Sequence, residues 1–278
     1  MRMRMPIQIE PVSDAVGAEI KGLDCRVELD AATVAELRAA WIGHGVLFFR
    51  GQDLTDGEHS KFCANFGAIQ AERTSPESES EEHPGCLFVS NFKPDAILPD
   101  GEMWFHSDQC YFDLPVSATS LYAIEVPKAG GHTLFCNCYT PYETLADDLK
   151  QRLEGLRAVN VYDSHSNNRY MKTTMREPDA RTAIHPILRT HPESGRKSLF
   201  INRLMTDYII DMEVAESTAL LEMLFDHIEQ PQHIYDHAWK PGDLSLWDNR
   251  CTLHARTHFE PTERRLLRRY AVEGDRPV

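Results

Sequence analysis

The sequence has no run of about 18 apolar residues, the length that a membrane-spanning helix requires. It also has no glycine-rich phosphate loop and no dinucleotide-binding fingerprint. Residues 1–6 are positively charged, but the apolar segment that completes a secretory signal does not follow them. These absences predict a cytoplasmic protein that neither spans a membrane nor binds nucleotides through either motif.

Basic residues are few relative to acidic ones: 29 lysines and arginines stand against 43 aspartates and glutamates, for a formal net charge of −14. A chain of this sign is a poor general binder of nucleic acid or of anionic membrane surfaces. We therefore expect neither as a partner. An anionic small-molecule ligand would need a local group of cationic side chains.

Cysteine is present, but in a pattern that favours neither disulfides nor a thiolate metal site. The seven cysteines are odd in number and scattered, which is typical of reduced thiols in the cytoplasm. Cys136 and Cys138 have no second pair with which to complete a tetrahedral site. Because both would face the same side of a strand, we interpret them as core residues.

Short apolar segments separated by tight turns predict a mainly β protein with helical additions, arranged as an antiparallel sandwich or barrel. The length of 278 residues suits one domain, 1–278. Polar stretches at about residues 69–86 and 163–185 predict long mobile loops. The predicted strands are Ile7–Glu10, Ala18–Ile20, Val46–Phe49, Leu87–Val89, Ser120–Val126, Thr133–Cys138, Leu199–Ile201, Leu244–Trp247 and Leu266–Val272.

Capping residues and apolar periodicity predict four helices. Thr140, followed by a proline and a glutamate, is a strong start signal for the third helix, whose inner face would extend to Leu153. The other three are predicted after Asp30, after the capping box formed by Thr55 and Glu58, and over Glu213–Glu229.

His106 and Asp108 are two positions apart and would lie on the same face of an extended segment. A distant histidine, His254, follows a strand and a turn and would complete a set of two imidazoles and one carboxylate. Such a set leaves coordination positions open on one face of a non-haem Fe(II). A His-x-Asp pair is common by chance, so the prediction depends on the third ligand. Other histidines are interpreted as surface or hydrogen-bonded residues: His132, His185, His191 and His258.

An arginine cluster follows His254 near the C-terminus. In a strand, Arg265 and Arg269 would share one face, about 13 Å apart, while Arg264 and Arg268 would share the other. Two inward arginines at this spacing could hold two different anions in one cavity, because a guanidinium pairs bidentately with a carboxylate. The alternative, a solvated or nucleic-acid-facing basic run, does not account for the alternation.

Several stretches of the sequence resemble the taurine dioxygenase and phenoxyacetate dioxygenase family of Fe(II)- and 2-oxoglutarate-dependent oxygenases. They occur in the family order and span nearly the whole chain. The matching stretches are Gly17–Ile20 with Gly22–Asp24, Val46–Gly51 (VLFFRG), Trp104–Asp108 (WFHSD), Gly130–Thr133 (GGHT) and Trp247–Arg250 (WDNR), with His254 and the arginine cluster.

The resemblance implies a double-stranded β-helix (jelly-roll) core and an enzyme that uses Fe(II), 2-oxoglutarate and O2. It also implies a homo-oligomer, because family members are often dimers or tetramers. By position, the residues that resemble the iron ligands are His106, Asp108 and His254, those at the 2-oxoglutarate site are Thr133, Arg265 and Trp247, and those on the substrate side are Arg269 and Asn91.

The implied reaction is hydroxylation of a small anionic organic substrate, such as a carboxylate, phenoxyalkanoate or sulfonate, with succinate and CO2 as co-products. His132 stands where family members commonly have aspartate, and no histidine of the kind that holds a sulfonate follows Phe66–Gly67, which disfavours taurine itself. Two alternatives are a zinc-dependent hydrolase, because histidine and aspartate also bind Zn²⁺, and a non-catalytic small-molecule-binding jelly-roll protein.

Overall fold

The computed structural model describes residues 7–71, 84–93, 96–97, 102–162 and 180–278. In these ranges the chain is mainly β-sheet with a few helices. The strands are β1 (Gln8–Pro11), β2 (Ala18–Lys21), β3 (Val46–Phe49), β4 (Leu87–Ser90), β5 (Met103–His106), β6 (Ala118–Glu125), β7 (Thr133–Asn137), β8 (Arg157–Tyr162), β9 (Arg181–Pro186), β10 (Leu188–Thr190), β11 (Lys197–Leu199), β12 (Thr206–Ile209), β13 (Ile234–His237), β14 (Leu244–Asp248), β15 (Thr252–Arg256) and β16 (Leu266–Val272).

Within the described ranges, the helices lie between these strands. None of them is long and apolar enough to cross a membrane. They are α1 (Ala31–His44), α2 (Asp56–Ala64), α3 (Tyr139–Glu143), α4 (Asp147–Leu153) and α5 (Val214–Ile228), with a 3-10 turn at Pro231–His233.

Two sheets form the jelly-roll core. The larger has the strand order β1–β2–β3–β14–β6–β16–β4, and the smaller has the order β13–β7–β15–β5. Neighbouring strands in both are antiparallel, except β2 with β3. Strands from opposite ends of the sequence alternate in the larger sheet, where β14 lies between β3 and β6. The predicted mainly β fold with a double-stranded β-helix core is confirmed.

Apolar side chains pack in three layers around these sheets. Between the sheets, Phe48 and Trp247 of the larger one meet Phe135 of the smaller one. Trp41 on α1 helps cover the outer face of the larger sheet, and Leu224 on α5 helps cover that of the smaller one. Each fully buried side chain of this size contributes about 1.5–3 kcal/mol. The helices therefore hold the outer faces and leave the space between the sheets to the site.

The first two helices begin as their capping residues predicted. The Asp30 carboxylate accepts a hydrogen bond from the Thr33 backbone N–H at 2.7 Å, at the start of α1. Thr55 and Glu58 form the reciprocal capping box of α2. Gly45 ends α1 with a φ of 74°, and a Cβ there would lie 2.8 Å from Thr252 Cγ2. That position therefore requires glycine on both conformational and steric grounds.

The helix predicted from Thr140 to Leu153 is wrong in its start and in its continuity. α3 begins at Tyr139, two residues before the predicted first helical residue Pro141, because the Asn137 side-chain oxygen accepts the Tyr139 N–H at 2.7 Å and replaces the expected threonine cap. The chain then becomes extended at Ala146, where ψ is 146°, before α4 begins. Two short helices therefore replace one long helix.

The loop predicted at about residues 163–185 is too long at its C-terminal end. β9 pairs with β8 along its full length, from Arg157 opposite Pro186 to Tyr162 opposite Arg181. The rest of that loop, residues 163–179, lies outside the described residues, as do residues 72–83 of the first predicted loop. The strand predicted at Leu199–Ile201 also lies earlier, as β11, because its residues pair with β10. The remaining predicted strands are confirmed, with ends that differ by about two residues or fewer.

Candidate active site

Three potential metal ligands meet where β5 and β15 pair. His254 on β15 is the cross-strand partner of His106 at the end of β5, and their ring centroids are 4.1 Å apart. Asp108 follows shortly after β5, and its Oδ1 lies 3.9 Å from Nε2 of each histidine. The structure therefore brings together the three residues that the sequence predicted as a metal site.

The protonation state of this group suits a divalent cation. Separations of 3.9 Å are too long for hydrogen bonds, so the three donor atoms face one another without bonding. His106 Nδ1 donates to the Trp104 carbonyl at 2.8 Å, which leaves the Nε2 lone pair available. Burial lowers the pKa of both histidines, that of His254 to about 3, so both rings are neutral near pH 7. Burial opposes ionisation of Asp108, but the Arg269 guanidinium holds its pKa well below the usual range. Two neutral imidazoles and a carboxylate are a donor set that Fe(II) binds.

The Asp108 carboxylate is oriented by two residues outside the predicted site, Thr119 and Asn249. Thr119 Oγ1 on β6 donates to Asp108 Oδ2 at 2.6 Å, and the Asn249 amide donates to Thr119 Oγ1 at 2.8 Å. The Asn249 oxygen accepts from the Trp247 indole N–H at 2.9 Å, and the Trp247 ring lies 4.6 Å from that of His254. Asn249 lies within the WDNR stretch, whereas Thr119 carries no sequence signal, because threonine is ordinary in a strand.

Arg265 lies buried next to β7, with its charge uncompensated among the described residues. Its Nε donates to the Gly131 carbonyl at 3.1 Å, and no described acidic side chain forms an ion pair with it. Burial, and then the nearby Arg256, lower the pKa of Arg265 to about 9. A buried guanidinium in this state favours binding of an anion.

Thr133 and Asn91 have protein partners of their own. Thr133 Oγ1 accepts a hydrogen bond from the Trp239 indole N–H at 2.9 Å, a contact that the sequence did not predict. The Asn91 oxygen accepts from the Arg265 backbone N–H at 3.0 Å, and its amide donates to the Glu263 carbonyl at 2.7 Å. Asn91 therefore holds the turn that leads to Arg265, and its contact with a substrate stays a prediction.

The two faces of β16 carry different arginines, as the alternation predicted. Arg269 points towards the candidate metal ligands, with Nη2 3.2 Å from Asp108 Oδ2. Arg268 points to the opposite side, where it is buried against α2 and pairs with Asp56 and His59. The basic run is therefore not a solvated surface at these two positions.

A second group of possible ligands consists of His191, Asp248 and Cys251. Its polar atoms already have partners: His191 Nε2 lies 2.9 Å from Asp248 Oδ2, and His191 Nδ1 accepts from the Glu193 and Ser194 backbones. Arg250 contacts both oxygens of Asp248, at 2.8 and 2.7 Å. This cluster is therefore a hydrogen-bonded support for the turn before β15.

This chain is similar to known proteins over nearly its whole length. Residues 8–270 match the family described as taurine catabolism dioxygenase TauD, TfdA family. The chain belongs to the TauD/TfdA family. One TauD/TfdA relative is the (S)-phenoxypropionate/alpha-ketoglutarate dioxygenase of Sphingobium herbicidovorans, which is 33% identical over 282 residues, covering 98% of this chain and 97% of that protein.

Solved TauD/TfdA structures have the same fold. A taurine dioxygenase from Burkholderia xenovorans superposes with a TM-score of 0.85 at 31% identity, over 98% of this chain and 91% of that one. The structure of AAD-2 in complex with Mn(II) and N-oxalylglycine superposes with a TM-score of 0.83 at 30% identity, over 98% of this chain and 99% of that one.

Membership of the TauD/TfdA family identifies the reaction class. The protein is an oxidoreductase, a dioxygenase that uses Fe(II), 2-oxoglutarate and O2, as the sequence predicted. Its relatives act on small anionic organic compounds, of which phenoxypropionate is one. This assignment favours the dioxygenase over the zinc-dependent hydrolase and the non-catalytic binding protein.

Proposed function

We propose that the protein hydroxylates a small organic anion, with His106, Asp108 and His254 as the iron ligands. The observation that carries the proposal is the convergence of these three donors beside Arg269. When bound, Fe(II) with 2-oxoglutarate activates O2 and supplies the oxidising power for hydroxylation, with succinate and CO2 as co-products.

Arg265 and Thr133 hold the distal carboxylate of 2-oxoglutarate in this proposal. The buried charge of Arg265 has no described acidic partner and would gain one in the co-substrate. Trp239 donates its N–H to Thr133 and so leaves the threonine hydroxyl proton free to point at a carboxylate oxygen. Trp247 packs against His254 and positions that ring. The chain thus supplies orientation and charge.

Arg269 holds the substrate anion in this proposal. Arg269 Nη2 lies 3.2 Å from Oδ2 of the proposed metal ligand Asp108. An anion bound by this guanidinium would therefore lie beside the metal ligands. The rings of Tyr111 and Tyr162 are tilted by 41° to each other, with centroids 4.7 Å apart. Tyr111 follows Asp108 by three residues in the same turn. An aromatic side chain this close in sequence to Asp108, together with Arg269, supports a phenoxyalkanoate or similar aryl carboxylate over taurine.

A phenoxyalkanoate would be cleaved as a consequence of hydroxylation. Insertion of oxygen into the C–H bond next to the ether oxygen gives a hemiacetal or hemiketal. In that product the bond between the hydroxylated carbon and the phenolic oxygen breaks. The hydroxyl becomes a carbonyl, its proton goes to the phenolic oxygen, and the phenol is released. The enzyme needs to position only one carbon, because the second step requires no further oxidant.

We further propose that the enzyme is one domain that works in the cytoplasm as a homo-dimer or homo-tetramer, without nucleic acid or membrane partners. All seven cysteines are free and buried, which suits a reducing compartment. The net charge of −14 supports the expectation of no polyanionic partner.

An anaerobic visible spectrum tests the proposed site. A weak charge-transfer band should appear when both Fe(II) and 2-oxoglutarate are added to the wild-type protein, and it should be absent from His254→Ala. Arylcarboxylates and sulfonates can then be screened by the band shift they cause and by succinate release in air. No band in the folded wild type would refute the ligand assignment, and a preference for taurine would refute the proposed substrate class.

A further inference from the structure

Gln109, the residue after Asp108, has an unusual backbone conformation. Its φ is 58°, and among the described residues Asp211 is the one other non-glycine residue with a positive φ. This left-handed region is unfavourable for residues with a Cβ. Gln109 is nevertheless buried, with 7% of its surface exposed. Such a conformation persists where the surrounding structure holds it in place.

The side chain of Gln109 is held by a reciprocal pair of hydrogen bonds with Gln70. The Gln109 amide donates to the Gln70 oxygen at 2.7 Å, and the Gln70 amide donates to the Gln109 oxygen at 3.0 Å. Gln70 is also buried, with 5% of its surface exposed. Each residue therefore satisfies the other in a place where water does not compete.

Gln70 is itself fixed to the end of β16, the strand that carries Arg269. Its backbone N–H donates to the Ala271 carbonyl at 2.9 Å, and the preceding residue, Ile69, forms a bridge with Val272. The Gln70–Gln109 pair therefore ties the segment after Asp108 to the strand of the proposed substrate arginine.

We propose that Gln70 and Gln109 are positioning residues for the metal site. The amide pair holds Gln109 in the left-handed conformation, and this conformation sets the direction in which the preceding carboxylate of Asp108 points. The inference rests on the proposed function, in which Asp108 is a metal ligand. Loss of either amide would let the backbone after Asp108 relax to another conformation. The Asp108 carboxylate would then be oriented for metal binding in a smaller fraction of the molecules.

Binding of Mn(II) alone tests this role, measured by electron paramagnetic resonance titration of the 278-residue protein. In Gln109→Gly the glycine can adopt the left-handed backbone conformation, but the side-chain amide is lost. Gln70→Ala removes the other amide of the pair. Each should weaken Mn(II) binding by about 10–100-fold, the usual effect of losing an outer-shell partner. The double variant should lose no more than the weaker-binding single variant, because both changes break the same pair.

Two matched controls separate positioning from general loss of stability. Asp211→Gly changes the other left-handed residue, and Gln52→Ala removes an amide whose oxygen accepts from the Cys25 N–H at 2.9 Å. Both should bind Mn(II) within twofold of the wild type. If Gln109→Gly does not fold, Gln109→Asn replaces it, because asparagine adopts this conformation but is too short to reach Gln70.

The outcomes distinguish this inference from the proposed function. If folded Gln70→Ala and Gln109→Gly bind Mn(II) as the wild type does while His254→Ala does not bind it, the positioning role is wrong and the ligand assignment stands. If the wild type itself does not bind Mn(II), the ligand assignment fails and the positioning role fails with it.

Discussion

Replacing Arg265 with methionine should stabilise the ligand-free protein and abolish its response to 2-oxoglutarate. Methionine keeps an apolar stem of similar length and removes the charge. Burial and repulsion from Arg256 lower the pKa of Arg265 from 12.5 to about 9. A shift of that size corresponds to roughly 5 kcal/mol of unfavourable charging in the folded protein.

Other terms reduce the expected gain in stability. The hydrogen bond from Arg265 to the Gly131 carbonyl contributes about 1 kcal/mol. Replacement of buried charges by apolar side chains has stabilised other proteins by about 1–4 kcal/mol. We therefore expect Arg265→Met to raise the free energy of unfolding of the ligand-free protein by about 1–4 kcal/mol.

The same change should remove the stabilisation that the co-substrate provides. With Mn(II) present throughout, 2-oxoglutarate at about 100 times its dissociation constant should raise the free energy of unfolding of the wild type by roughly 2.7 kcal/mol. In Arg265→Met this increment should vanish. The expected effects therefore have opposite signs in the two conditions.

Urea denaturation followed by tryptophan fluorescence measures both effects. Arg264→Met is the matched control, because Arg264 is exposed and pairs with Glu125 at the surface. Its free energy of unfolding should change by about 0.5 kcal/mol or less in either condition. The reasoning is refuted if Arg265→Met is less stable than the wild type in the absence of ligand. It is also refuted if 2-oxoglutarate stabilises Arg265→Met as strongly as it stabilises the wild type.

Two further predictions concern buried polar groups. Thr119→Val removes the 2.6 Å hydrogen bond to Asp108 with little change in shape, and should weaken Mn(II) binding by about 10–100-fold in a titration. His237 is buried with neither ring nitrogen hydrogen-bonded in the described structure, and its pKa is lowered from 6.5 to about 3, first by burial. Because the unfolded chain takes up this proton below pH 6.5 and the folded chain does not, stability should fall on acidification. His237→Phe should reduce that dependence by up to about 1.4 kcal/mol per pH unit, measured by urea unfolding across this range.

Each of these predictions has a control within the chain. Thr119→Ser keeps the hydroxyl and should bind Mn(II) like the wild type; equal affinity in Thr119→Val would contradict the proposed orientation of Asp108. His258 is exposed, so His258→Gln is the matched surface control for replacing a histidine. An unchanged slope in His237→Phe would show that this histidine does not titrate differently on folding.

Strands and helix starts could be predicted where local residues decide them. β16 matches its predicted bounds, Leu266–Val272, because alternating side chains face two packed layers. The break at Ala146 could not be predicted, because no proline or glycine marks it in the sequence. The order of strands in the sheets depends on long-range pairing that no local period encodes.

The candidate site divides in the same way. His106, Asp108 and His254 were predicted from residue type and from a family pattern, and the structure brings them together. Thr119 and Trp239 were missed, because their contacts with the site arise from chain segments that meet only after the sheets have formed. Residue type alone does not distinguish such contacts from ordinary packing.

The cross-strand pairing of His106 with His254 also has a consequence for where the protein unfolds first. β5 is an edge strand of the smaller sheet, paired with β15 at two register positions with an irregularity between them. A metal bound by both strands would cross-link them at this weakly paired edge of the sheet and would close the long loop of chain between His106 and His254. Bound iron would then stabilise the pairing of β5 with β15. In protein that has lost its iron, β5 would detach before the helix-covered layers unfold.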